Sequence, residues 1–288
     1  MLEPTLTALL LGVATSLVLG VADFNGGLAS RTSNAAKVVF FGALVSFPLA
    51  VVALVIIGGE FVSGDIGWGL LAGLANAIGL AVLYRGFSVA GTGLVAPTAS
   101  VLSVMVPVGV DLAGGASIAA LGWFGVVIAV VSLAVATFTP DGVNARRSGV
   151  THGLVAGVCF GIGLAALGGT GEGAGLWPLL WQRVGIVSSL AIFVGVLSRR
   201  SSGQEPSPWP LRSDRTGSFL SGALSVVGLA CFVAGTQRGD LATVSVAGTQ
   251  FPVVTIVLMA LFADERLRSW QWCGVVGVAV GVTLVGIA

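Results

Sequence analysis

The sequence predicts an all-α polytopic membrane protein with ten transmembrane helices in two inverted five-helix repeats. Three observations carry that expectation. The 288 residues are 56% hydrophobic, with a mean hydropathy of +1.04, and only 9% are charged, against roughly 25% in an ordinary soluble domain. Apolar runs close to the roughly 20 residues that cross about 30 Å of hydrocarbon recur along the whole chain. Basic residues gather in alternate connections between those runs. A soluble chain of this length could bury a large core but would still need a polar surface, and 13 Lys/Arg with 12 Asp/Glu are too few to make one. This excludes a typical soluble enzyme, a nucleic-acid binder and a disordered scaffold.

Taken in order, the first run, 5–24, lacks a preceding basic segment and is followed by more apolar runs, so it reads as a first span and not as a cleaved signal peptide. Runs 38–58, 66–84, 89–110 and 118–138 follow, and then a polar break, TPDGVNARRSG. Run 151–169 is short and rich in glycine; 176–197, 216–235, 241–262 and 268–287 complete the set. Barrel strands would be shorter and would alternate polar with apolar residues, which these runs do not. The stretch 198–215 is polar, carries three prolines and reads as a surface loop. The odd-numbered connections hold Arg31, Lys37, Arg85, Arg146, Arg147, Arg199, Arg200, Arg212, Arg215, Arg266 and Arg268, whereas the termini and even connections hold only Arg238. A wrong span count would scramble that alternation. It places the odd connections in the cytoplasm and both termini outside.

The chain divides into 1–138, a cytoplasmic linker 139–150, and 151–288. A shift of about 148 residues pairs Gly69 with Gly217, Tyr84 with Phe232 and Gly91 with Gly239, and WFGVVIAV (123–130) falls on WCGVVGVA (272–279) with a one-residue adjustment. Five spans per half turn the second copy upside down relative to the first, the arrangement used for alternating access.

The segments GLVAPTASVLSVMVPV (93–108) and ATVSVAGTQFPVVTIVLMALFADERLRSWQWCGVVGVAVGVTLVG (242–286) resemble the EamA family of the drug/metabolite transporter superfamily. In that family the fourth helix of a repeat runs into a proline, a Gly-Glu-Arg-like turn follows, and the last helix repeats glycine on one face. Asp264-Glu265-Arg266 fills the turn here, whereas the first half has DLAGGAS (111–117) and departs from the pattern. The resemblance implies a bacterial inner-membrane permease or exporter of amino acids, other metabolites or drugs. Family members are commonly described with cytoplasmic termini, opposite to the orientation that the basic residues give.

Polar groups within or at the edge of spans are functional candidates, because burying them in lipid is costly. Asp23 and Asn25 fall at the end of the first run, where Asp23 either couples protons within the bundle or simply terminates a helix. Asn76 lies mid-span and faces either a cavity or a neighbouring carbonyl. Gln182 and Arg183 follow Trp177 and Trp181, with Arg183 rotated about 200° from Trp181. Arg183 pairs with a substrate carboxylate, pairs with an acidic side chain such as Asp23, or snorkels to a headgroup. Pro97, Pro107 and Pro252 break backbone hydrogen bonding in the fourth and ninth runs. Ser100, Ser103, Ser245, Thr249 and Gln250 would then line a cavity at the repeat interface, or bond their own backbone. Glycines four apart, Gly69/Gly73, Gly153/Gly157/Gly161 and Gly277/Gly281, permit close helix contact, static or sliding. Tyr84, Trp123, Trp270 and Trp272 read as interfacial anchors.

GGTGEG (168–173) lacks the Lys-Ser/Thr of a phosphate loop and reads as a connection. Cys159, Cys231 and Cys273 read as small buried hydrophobes, and His152 is the single histidine. No catalytic constellation, cofactor or metal is expected, nor direct ATP drive. The expected partners are a small-molecule substrate and the lipid bilayer, without nucleic acid, and a homodimer is left open. One lysine against twelve arginines points by composition to a GC-rich bacterial genome. Alternatives to a secondary transporter are a passive channel, a lipid or isoprenoid-carrier flippase, and a non-transporting membrane scaffold.

Overall fold

A computed structural model describes residues 4–113, 119–136, 143–171, 173–200, 209–236, 247–248 and 250–286. These form ten α-helices: α1 (Pro4–Ala29), α2 (Ala35–Ile57), α3 (Asp65–Ala90), α4 (Thr92–Ala113), α5 (Ala120–Ala136), α6 (Val143–Gly168), α7 (Trp177–Arg200), α8 (Arg215–Thr236), α9 (Phe251–Phe262) and α10 (Ser269–Gly286), with a short 3-10 turn over Arg212–Asp214. By length and apolar composition, five described segments are sufficient on their own to cross a membrane: Leu6–Ala29, Ala35–Ile57, Asp65–Ala90, Arg147–Leu167 and Arg212–Gly235. The expectation of ten such spans holds for the number of helices, which is ten, but only five of the described segments reach that length and composition. Several of the others are short, as in α5 and α9, and α7 carries Arg183, Arg199 and Arg200.

Local chemistry sets the helix limits. Asn34 caps α2 by accepting the Ala36 backbone N–H at 3.0 Å. Gly91 (φ 82) ends α3 and lets α4 begin at once. A Cβ there would be strained by the positive φ, which favours glycine, and would also press on the Glu265 carboxylate at 2.7 Å. Helix α6 starts at Val143, which lengthens the short run 151–169 by a polar first segment. The ninth run is not one uniform helix. Gln250 takes a turn conformation, and Pro252 falls in the first turn of α9, where its missing N–H removes no helical bond. Proline thus begins this helix and does not interrupt it, and the break falls at Gln250. Ser16 of α1 donates to the carbonyl of Ala247 beside the break, and Gln250 Nε2 reaches Thr283 Oγ1 on α10 at 3.1 Å.

The bundle is packed from small residues. Alanine dominates the buried apolar positions, and Val55, Ile56, Phe262 and Ile192 stand outward at 68–80% exposure. Large apolar side chains outside and small ones within are what a lipid solvent asks of helix interfaces. The largest helix contacts all join the first half of the chain to the second: α5 with α10, α1 with α8, α3 with α6 and α4 with α6. Exchanging each helix with the one five places later maps this pattern on itself, since α1–α8 becomes α6–α3, α1–α9 becomes α6–α4, and α2–α8 becomes α7–α3. The same exchange relates two glycine crossings. A Cβ on Gly222 of α8 would sit 2.8 Å from Gly42 Cα on α2, and one on Gly73 of α3 would sit 2.7 Å from Gly185 Cα on α7.

Candidate functional site

Asp23 is the central polar group of the bundle. Helix α1 does not stop before it but runs on to Ala29, so Asp23 is held on a continuous helix, 9% exposed. Tyr84 Oη of α3 donates to Asp23 Oδ1 at 3.0 Å, and Ser221 Oγ of α8 lies 3.0 Å from the same hydroxyl. Tyr84 is 2% exposed. The expectation that it anchors at the interface is corrected, because its ring is packed inside the bundle against Gly26, where a Cβ would stand 2.4 Å from the ring. A phenol can reach a carboxylate one helix away only because glycine supplies that bed.

Asp23 also borders a narrow cavity with Ser100 and Ser103 of α4, Phe160 of α6, and Pro252 and Thr255 of α9. Its free volume, about 10 Å³, holds at most one water molecule. Thr255 Oγ1 donates to the carbonyls of Gly20 and Phe251, at 3.2 and 3.1 Å, tying α9 to α1. The structure thus gathers Asp23, Ser100, Ser103 and Pro252 around one cavity. The other candidates lie elsewhere. Asn25 and Asn76 donate to carbonyls of their own helices, Val21 O and Ala72 O, both at 2.8 Å. Pro97 is buried within α4. Ser245, Thr249 and the side chain of Pro107 lie outside the described residues. Cys273 is exposed, not buried, on α10.

Arg183 and Gln182 are each 4% exposed. Arg183 neither snorkels outward nor meets Asp23, whose Oδ1 is taken by Tyr84. Its Nε and Nη2, Gln182 Oε1 and Trp181 Nε1 are buried and have no hydrogen-bond partner among the described residues.

The two ends of the bundle are clasped alike. At one end Asp65 of α3 accepts Gly171 N at 3.1 Å, Glu60 N donates to Gly173 O at 3.0 Å, and Trp177 packs edge-on against Phe61 at 5.0 Å. At the other, Asp214 accepts Thr32 and Ser33 hydroxyls at 2.8 and 2.5 Å, and Trp209 stacks on Phe40 at 6.3 Å. The shift of 148 places Phe61 on Trp209. Beside the second clasp, Glu265 accepts the backbone N–H groups of Thr92 and Gly93 at the start of α4 and meets Arg31 at 3.1 Å.

Sequence reasoning missed Tyr84, Ser221 and Thr255 as neighbours of Asp23. The one available signal was that the only tyrosine of a chain this apolar carries a hydroxyl that needs a partner.

Residues 147–287 match the EamA-like transporter family. The chain is similar in fold to another protein of known crystal structure, with a TM-score of 0.61 and 15% sequence identity over 97% of this chain and 98% of that one. No curated protein matches its sequence. The ten-helix bundle has an apolar exterior and a small-residue interior, and its second half carries the family match. On these findings the second half of the chain, residues 147–287, is of the EamA-like transporter family, and the protein is a multi-pass membrane protein of the secondary-transporter type.

Proposed function

We propose that the protein moves a small metabolite, amino acid or drug-like compound across a bacterial cytoplasmic membrane by alternating access, with Asp23 as its proton-coupling group. The observation that carries this reading is a carboxylate on α1, buried at the junction of α1, α3 and α8 beside a cavity. The Asp23–Tyr84–Ser221 chain suits the role because it can run in either direction. With Asp23 ionised, Tyr84 donates to it and Ser221 donates to Tyr84. With Asp23 protonated, both bonds reverse and no donor is lost.

The reading takes all ten helices as spans, arranged as inverted repeats 1–138 and 151–288 around the linker 139–150, with both termini outside. Its support is the exchange of helix contacts under a five-helix shift, the matching clasps at the two ends and the distribution of Arg and Lys. A cavity that holds one water admits no metabolite, so the substrate enters when helices part at one end and leaves when they part at the other.

Purified protein in liposomes, screened for uptake and export of metabolites with and without a pH gradient, tests this reading. Transport should follow the gradient in the wild type and lose that dependence in Asp23→Asn. Gradient-driven transport unchanged in Asp23→Asn would refute the role of Asp23. A second reading is favoured by the open groove between α9 and α10, lined by Gln250, Val254, Val280 and Thr283, which suits a lipid-like substrate entering laterally. Translocation of a labelled polyisoprenyl phosphate, with no soluble metabolite moved, would select it.

A further inference from the structure

We propose that Arg183 is an oxyanion-binding site inside the bundle, separate from the Asp23 cavity, which takes a carboxylate or phosphate group side-on. Three features of α7 point to it. Arg183 is the seventh residue of its helix, about 9 Å along the axis from Trp177, and Trp177 marks the end of the bundle by donating to Gly59 O at 3.2 Å. At that depth Arg183 is 4% exposed, and its Nε and Nη2 are buried. The two nitrogens left without a partner are Nε and Nη2. These share one edge of the guanidinium and project parallel N–H bonds at the spacing of two oxygens on one carbon or phosphorus, which is the bidentate geometry of an arginine clamp.

Among the described residues no carboxylate pairs with it. Helices α2 and α3 are the main packing partners of α7. Helix α2 has no acidic residue, and the single one on α3, Asp65, is committed to the Gly171 backbone N–H. Asp23 is committed to Tyr84. The same turn of α7 holds two more buried polar atoms without partners, Gln182 Oε1 and Trp181 Nε1. A buried charge beside unpaired polar atoms is an unfinished arrangement, and an anion completes its charged member. The Gly73–Gly185 crossing holds this turn of α7 hard against α3, with a Cβ on Gly73 falling 2.3 Å from Gln182 O. The arginine is therefore presented from a fixed backbone.

The oxyanion comes from a soluble solute or from a lipid headgroup, and the assignment does not depend on what the transporter carries. The test uses the full chain in neutral detergent, titrated with sodium phosphate or sodium acetate against sodium chloride at matched ionic strength. In a second arm, native mass spectrometry follows retained phosphatidylglycerol. The wild type should show a saturable rise in Tm with phosphate or acetate if the source is a solute, or one retained phosphatidylglycerol if it is a headgroup. Arg183→Lys keeps the charge but loses the side-on edge, and should weaken binding at least about tenfold in whichever arm responds. Arg183→Gln should abolish it. Should Arg183→Gln not fold, the lysine variant alone decides. Equal responses in wild type and Arg183→Lys, or no response in either arm, would overturn the proposal.

Discussion

Replacing Gly73 with alanine separates close helix contact from helix propensity at one position. In α3 a Cβ at residue 73 would lie 2.3 Å from Gln182 O, 2.7 Å from Gly185 Cα and 2.9 Å from Ile186 N, all backbone atoms of α7. None can rotate away, so α3 and α7 would have to part by roughly 1 Å to restore van der Waals spacing. Overpacking of this kind costs about 1–3 kcal/mol, here at the upper end because the whole interface moves. Alanine returns about 1 kcal/mol of helix propensity, which leaves a net loss of about 2 kcal/mol. Gly67, on the same helix, has nothing within 4 Å of its Cβ position, so Gly67→Ala should keep only the gain, about 0.5–1 kcal/mol. The two variants should differ by about 3 kcal/mol in equilibrium unfolding by SDS titration in mixed micelles. Equal stability of Gly73→Ala and Gly67→Ala would refute the close-crossing argument.

Removing the Tyr84 hydroxyl as Tyr84→Phe should cost about 1–3 kcal/mol by leaving Asp23 short of its donor. A double-mutant cycle with Asp23→Asn should give a coupling of about 0.5–3 kcal/mol, and additive effects would deny the interaction. Glu265→Ala removes the acceptor for the first N–H groups of α4 and should cost about 1–2 kcal/mol in thermal unfolding. Arg31→Ala, whose side chain is 32% exposed, should cost about 0–1 kcal/mol; a larger loss for Arg31 than for Glu265 would reverse the roles assigned to them. A reporter active only outside the cytoplasm should give signal when fused after Ala288 and none when placed in 198–215, and the opposite pair of results would invert the orientation.

The helices were legible in the sequence because lipid leaves few alternatives. Every buried backbone group must be satisfied within its own segment, so apolar runs become helices with limits near those of the runs. The glycine spacings were legible for a related reason. Gly153, Gly157 and Gly161 lie against Thr98, Ala99, Leu102 and Val106 of α4, and Gly277 and Gly281 against Ser132 and Ala129 of α5, as residues four apart on one face require. The polar contacts of the interior were not legible. Asp23 faces Tyr84 through an angle between α1 and α3 that no local pattern encodes, and Ser221 comes from a helix nearly two hundred residues further along. Of the partners open to Arg183 in the sequence, Asp23 is ruled out because its carboxylate accepts the Tyr84 hydroxyl and forms no ion pair with Arg183. Gln250 shows the converse. Proline marked the right place in the ninth run, but only coordinates reveal that the chain turns before it.

The interlocking of the two halves has a consequence for how the protein is made. Each helix of the first half has its largest interface with a helix of the second, and α5 reaches its main partner only in α10, the last helix of the chain. With all ten helices taken as spans, as proposed above, the first five leave the translocon during synthesis with their small-residue faces uncovered, Gly125, Ala129 and Ser132 of α5 longest of all. The bilayer must hold these helices apart until the ribosome has delivered the rest. The first half is then half of an assembly awaiting its complement, not a folding unit. Two fragments divided between 136 and 143 and synthesised together should find one another in the membrane, whereas the first fragment alone should pair with copies of itself through the α5 face or be degraded.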